Sequence, residues 1–182
     1  SDIHINVSMN TTPDFTLRVL MDPTSGDRIS LNGTGALKAT YFNKGTFDMY
    51  GTYLIDHGTY NLTIQNIIEK KFQFQQGSSI VFGGSPFNAL LDLKAVYPVN
   101  GVADLKIGNS FTGNNVRVDC IMNIGGTPEN ISVDFDFDMP TVNNDAKQMV
   151  RSLINSEEEM NQQVVYLLAI GRFYIDEKNN ST

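Results

Sequence analysis

Up to about residue 139 the chain alternates apolar and polar side chains with a period of two. This is the repeat of an extended strand with one greasy face and one wet face. Ile3, Ile5, Val7 and Met9 alternate with polar neighbours, as do Phe15, Leu17 and Val19. Leu37, Ala39 and Tyr41 follow, then Phe47, Met49, Gly51 and Tyr53, then Tyr60, Leu62 and Ile64. The pattern continues through Phe72 and Phe74, Ile80 and Phe82, and Leu91, Leu93, Ala95 and Tyr97. Its clearest runs are Val116 to Ile124 and Ile131 to Phe137. Turn-forming residues separate these stretches: Asn43-Lys44-Gly45, His57-Gly58, Gln76-Gly77, Gly83-Gly84-Ser85-Pro86, Asn100-Gly101 and Gly125-Gly126-Thr127-Pro128. Short turns between many successive strands predict an antiparallel meander of about ten strands, because parallel pairing requires long crossovers.

After residue 140 the period becomes helical. Asn144 caps a first expected helix carrying Met149, Val150, Leu153 and Ile154. Ser156-Glu157-Glu158-Glu159 reads as a capping box opening a second, with the acidic residues at the positive end of its dipole. Met160, Val164, Leu167, Leu168 and Gly171 lie on one face of that helix. Both helices are expected to pack on the sheet's apolar surface or to close one end of it.

A flat sheet with one bare apolar face would aggregate. Three arrangements avoid this: a sandwich, a closed barrel, or a sheet curled into a trough lined by the apolar side. Alternation is common to all three.

Composition narrows the functional classes. A net charge of −7 with 13 scattered Lys and Arg excludes a nucleic-acid partner, which requires clustered bases. The single cysteine, Cys120, excludes an internal disulfide. There is no leader-like segment and no apolar run long enough to span a bilayer, and the polar end, Asp176 to Thr182, reads as a linker; a piece of a longer protein is expected.

Catalytic chemistry finds little support. His4 and His57 are the only histidines, and His57 is read as a solvent-exposed turn residue. Cys120 shares the apolar parity of Val118 and Met122, where burial makes a thiol a poor nucleophile. Asp134, Asp136 and Asp138 alternate along one strand face, and side chains two apart lie roughly 6.5–7 Å from each other, too far to share a calcium ion easily. They read as a solvated face that discourages edge pairing. Gly83-Gly84-Ser85 lacks the following Lys and helix of a phosphate loop. No enzyme activity, cofactor or metal is expected.

Several segments resemble a known family. Gly51-Thr52-Tyr53 and Gly58-Thr59-Tyr60 look like the paired Gly-x-Tyr motifs of the TamB C-terminal family. Gly77-Ser78-Ser79-Ile80-Val81-Phe82-Gly83-Gly84, with Leu91 to Tyr97 after it, is similar to that family's most recognisable stretch. Lys147 to Ile154 and Tyr166 to Phe173 resemble its helical ending, so the likeness covers roughly residues 29 to 175. The resemblance implies a periplasmic segment of a protein anchored in the inner membrane of a Gram-negative bacterium. It implies an Omp85-class outer-membrane barrel as partner, and a part in barrel assembly and in phospholipid movement toward the outer membrane.

The expected fold is therefore mainly β: a curled antiparallel sheet forming an elongated trough over residues 1–140, a helical segment over 141–175, and a polar end over 176–182. The expected groove lining is Leu62, Ile64, Phe72, Phe74, Ile80, Phe82, Leu91, Leu93, Val116, Val118, Cys120, Met122, Ile131, Val133, Phe135 and Phe137. These residues would meet lipid acyl chains or unfolded apolar β-strands. The alternative is a secreted β-sandwich acting as a binding or adhesion module. Such a module needs exposed aromatics, whereas Tyr53, Tyr60, Phe72, Phe74 and Phe135 fall on apolar parity and tryptophan is absent.

Overall fold

Among the described residues the alternating segments form nine strands of one antiparallel sheet. The computed structural model describes residues 2–22, 24, 26–102 and 115–173, with only the main chain at 19–22, 100–102 and 115. The polar end expected at 176–182 lies outside the described residues. The strands are β1 (His4–Thr11), β2 (Thr16–Asp22), β3 (Asp27–Phe42), β4 (Thr46–Ile64), β5 (Ile68–Phe74), β6 (Ser79–Gly84), β7 (Leu90–Val102), β8 (Asn115–Thr127) and β9 (Asn130–Asp138). One 3-10 turn, Pro86–Asn88, precedes β7, and helices α1 (Asn144–Ser152) and α2 (Glu157–Ile170) follow the sheet.

The order β1-β3-β4-β5-β7-β8-β9 leaves β1 and β9 at opposite ends of this path, so the sheet is not a closed barrel. It is more than a simple meander, because two long strands are each flanked on one side by two short ones. β1 pairs with residues 35–42 of β3 and β2 with residues 27–32. Asn32 fills the break between them, its Nδ2 donating to the Pro13 carbonyl at 2.7 Å and to Thr16 Oγ1 at 2.8 Å. In the same way β4 pairs with β5 through residues 59–64 and with β6 through residues 49–54. Ser78 holds that second break: its carbonyl accepts from Ile55 N at 2.8 Å and its hydroxyl from Lys94 N at 3.0 Å.

Two expected turns are absent as such. His57-Gly58 lies inside β4, which runs unbroken for 19 residues. Asn32 faces His57 while Gly33 faces Ile55, so Asp56 is the additional residue of a β-bulge. The bulge turns the apolar parity of β4 from odd (Phe47, Met49, Gly51, Tyr53, Ile55) to even (Gly58, Tyr60, Leu62, Ile64). Asn100-Gly101 likewise lies within β7.

Two compact units are distinguished, Ser1–Ala95 with Asn123–Val133, and Val96–Met122 with Asp134–Thr182. In the first, the apolar face is buried at Ile29, Leu31, Leu37, Tyr53, Ile55, Tyr60, Phe72, Phe74, Ile80 and Leu93. Two motif glycines let strands approach closely here. A Cβ at Gly51 would run into the Ala36 carbonyl, and one at Gly58 into the Ser30 carbonyl, so β3 and β4 close together over the apolar face. Tyr60 is buried beside Asp27, whose carboxylate accepts from Tyr60 Oη at 3.5 Å and from Thr63 N at 2.9 Å.

In the second unit, Val99, Val118, Cys120, Met122, Phe137 and Met139 are buried together with Ala146 and Val150 of α1 and Val164, Leu167 and Leu168 of α2. The cap of α1 is Asn143 and not Asn144: its extended backbone (φ −68°, ψ 161°) turns the side chain back to accept from Ala146 N at 2.9 Å. At α2 Ser156 accepts from Glu159 N at 3.1 Å, while Glu159 Oε2 reaches one residue further back, to Asn155 N, at 2.8 Å. Gly171, at φ 71°, ends α2 in the left-handed region.

Candidate functional site

The part of the structure best suited to meet another molecule is an uncovered corner of the first unit's apolar face. Strand pairing sets Ile5 beside Tyr41 and Tyr41 beside Phe47, and in the next row Val7 beside Ala39 and Ala39 beside Met49. Successive residues of one parity point to one side, so these side chains form a continuous apolar surface. Ile5 is 48% exposed, Val7 44%, Tyr41 43% and Phe47 48%. Along β3 and β4 the surface passes into the dry interior, where Leu31 is 2% and Ile55 1% exposed. Among the described residues β1 is paired with β3 on one side and with no strand on the other. It carries no Asp, Glu, Lys or Arg, so what it offers is apolar area.

The sixteen residues expected to line a groove fall into three groups. Phe72, Phe74, Ile80, Leu93, Val118, Cys120, Met122 and Phe137 are buried. Leu62, Ile64, Phe82, Leu91, Val116 and Phe135 are partly exposed, and Ile131 and Val133 are exposed. Ile5, Val7, Met9, Tyr41 and Phe47, all exposed, were outside that set. Their alternation is plain in the sequence, but their exposure depends on strand order.

The structure places the polar candidates in the core or in contacts within the chain. Cys120 is buried, and burial, followed by the nearby Asp119 carboxylate, pushes its thiol up to about 12, far from reactive at neutral pH. His57 is exposed, with Nδ1 2.7 Å from Asp56 Oδ2. Of the three alternating aspartates, Asp136 pairs with Arg151 at 3.3 Å and Asp138 with Lys147 at 3.1 Å. Arg151 Nη2 also donates to the Phe137 carbonyl at 2.9 Å, and its guanidinium lies 5.5 Å from the Phe137 ring centre. Asp134 faces Glu157 at the start of α2; a hydrogen bond between the two carboxyl groups, with the repulsion of the Asp134 charge, raises the pKa of Glu157. Among the described residues no group of three or more His, Cys, Asp and Glu is placed to hold a metal ion. Among them, too, no helix is long and apolar enough to cross a membrane.

No curated protein and no solved structure matches the chain. The TamB C-terminal domain matches residues 2–182. On that match, which runs almost from end to end, the chain belongs to the TamB C-terminal domain family and is part of a TamB-like protein of the Gram-negative envelope.

Proposed function

We propose that this segment is a periplasmic scaffold or conduit, whose apolar face takes up phospholipid acyl chains or shelters unfolded apolar β-strands on their way to the outer membrane. One observation carries the reading: the exposed apolar corner of Ile5, Val7, Tyr41 and Phe47 is continuous with the buried apolar face. Exposed contiguous apolar surface is costly in water and marks contact sites. An acyl chain laid on it gains about 0.8 kcal/mol for each methylene removed from water. Phe82 and Leu91, partly exposed residues of the expected groove lining in the same unit, would extend the contact. Family membership supports involvement with outer-membrane assembly machinery. On this reading the partner is an Omp85-class barrel, and the whole protein is held in the inner membrane. The rival sandwich module needs two facing sheets, whereas the nine described strands belong to one hydrogen-bonded sheet.

The test is native mass spectrometry and lipid extraction of the chain purified from a Gram-negative periplasm, or after incubation with phosphatidylethanolamine/phosphatidylglycerol vesicles. Bound phospholipid is expected, reduced by Phe47→Asp with the fold intact. Absence of lipid under both conditions, together with failure to bind an unfolded barrel precursor, overturns the proposal.

A further inference from the structure

We infer that the β4–β5 hairpin is a membrane-docking tip, which sets Ile67 into the surface of an anionic phospholipid bilayer while Arg28, Lys70 and Lys71 meet its phosphates. The hairpin lies inside the strand order, with β3 next to β4 and β7 next to β5, so its exposure owes nothing to either end of the sheet. Ile64 pairs with Ile68, and the Ile64 carbonyl accepts from Ile67 N at 3.2 Å to close the turn. Its two central residues, Gln65 at φ 51° and Asn66 at φ 59°, both stand in the left-handed region without being glycine. The β3–β4 turn reverses the chain with Gly45, at φ 106°, beside the polar residues Asn43 and Lys44. The strained turn instead carries Ile67, which is 84% exposed.

Behind Ile67 the chemistry changes row by row. The Ile64–Ile68 pair comes first, then Thr63 opposite Glu69, then Leu62 opposite Lys70. In the next row Asn61 stands between Arg28 and Lys71, both exposed. At about 3.4 Å per residue Lys71 lies roughly 10 Å behind Ile68, and two strand spacings set it about 10 Å from Arg28. An apolar segment at a lipid interface sinks roughly 5–10 Å past the head groups, and long cationic side chains reach back along their stems to the phosphates. The hairpin has both halves at that spacing.

A lone exposed isoleucine is ordinary on a protein surface. Cations set behind four apolar residues are what favour lipid. The whole chain carries −7, yet charge is screened within about 8 Å at physiological ionic strength, so the local set governs the contact. That set is Arg28, Lys70 and Lys71 against Glu69. Asp27, the acidic neighbour of Arg28, is buried, with its carboxylate accepting from Tyr60 Oη and Thr63 N. The tip is therefore basic and apolar in an otherwise acidic chain, and each such cation strengthens attachment to an anionic surface. This contact holds the segment against a bilayer and does not depend on the corner of Ile5, Val7, Tyr41 and Phe47 taking up lipid.

The experiment uses the whole chain with vesicles of phosphatidylethanolamine and phosphatidylglycerol. The chain should float with them, less so as salt is raised, and should bind phosphatidylcholine vesicles at least tenfold more weakly. Ile67→Cys carrying a polarity-sensitive dye should shift to the blue on the anionic vesicles. Gln73→Cys, exposed further along β5, should not. Native Cys120 is buried and takes no label. Ile67→Asp should weaken vesicle binding at least tenfold, and Arg28→Gln with Lys71→Gln about thirtyfold, while circular dichroism and melting temperature stay unchanged. Phe47→Asp alters the corner and should leave the Ile67 dye shift as it is. The inference is overturned if the chain does not bind anionic vesicles, or if the dye at Ile67 shifts no more than the dye at Gln73. Loss of the shift in Phe47→Asp assigns the attachment to the corner and overturns it as well. So does a dye at Ile67 that answers to an unfolded barrel precursor but not to vesicles, which would make the tip a protein contact. Lipid extraction by the corner can fail with the dye shift intact, and the reverse, so the two readings fall separately.

Discussion

β1 and β9 both lie at an end of the sheet, and both alternate apolar with polar residues, yet their surroundings are opposite. In β1 the polar positions are His4, Asn6, Ser8 and Asn10, and Ile5 and Val7 remain exposed. In β9 the later polar positions are Asp134, Asp136 and Asp138, and the apolar series runs from exposed Ile131 and Val133 to buried Phe137. What separates them is the chemistry of the intervening residues. Aspartates give α1 something to hold, through Arg151 and Lys147, and Arg151 also takes up the Phe137 carbonyl of that strand. The intervening residues of β1 are neutral and, among the described residues, form no ion pairs of this kind. The alternation builds the strand, and the residues between the apolar ones decide what can attach to it.

The largest test of this contrast is Phe137→Ala. Phe137 is buried against the edge of the Phe173 ring, with centroids 5.1 Å apart, so its truncation should cost roughly 3–5 kcal/mol in urea or thermal unfolding. The matching change in β1, Val7→Ala, should stay within about 0.5 kcal/mol. Equal losses at the two sites would break the comparison. Arg151→Ala removes the Asp136 pair and the bond to the Phe137 carbonyl. Its side chain is partly exposed, so a loss of about 1 kcal/mol is expected, with faster hydrogen exchange at the end of β9. Asn143→Ala deletes the cap of α1 and should cost about 1 kcal/mol, restored in large part by Asn143→Ser.

The smallest effect is a matter of pH. The folded state raises the pKa of Glu157, so it binds that proton more tightly than the unfolded chain does. The resulting stability is present below the ordinary glutamate range and is lost as pH rises through the folded value. Glu157→Gln keeps the uncharged form. It should melt slightly above the parent at neutral pH, with the difference vanishing in acid. A difference that grows in acid would refute the assigned direction.

Much of the architecture was legible in the residues. Period-two alternation marked the strands because each has one buried and one wet face, and Ser156 with Glu159 marked the start of α2. Local signals could not give tertiary pairings. His57-Gly58 has turn chemistry, but Gly58 is there because the Ser30 carbonyl occupies the space of a side chain. The caps at Asn143 and Asn144 differ only in backbone geometry, which the sequence does not carry. The exposed corner was hidden for a similar reason. Ile5, Val7 and Phe47 look no different from Phe72 or Val118 until strand order shows which of them have a partner strand on one side alone among the described residues.

The bulge at Asp56 works like a frame correction in the middle of a message. Before it the buried letters of β4 are odd, and after it they are even, while β3 keeps a single frame throughout. Deleting that one residue would let His57 follow Ile55 in plain alternation, with Gly58, Tyr60, Leu62 and Ile64 still on the dry side. Keeping it but pairing it regularly would instead rotate those four to the wet side and bring His57, Thr59 and Asn61 to the dry one. The spelling of this strand is thus conditional on a single inserted residue whose own side chain faces water.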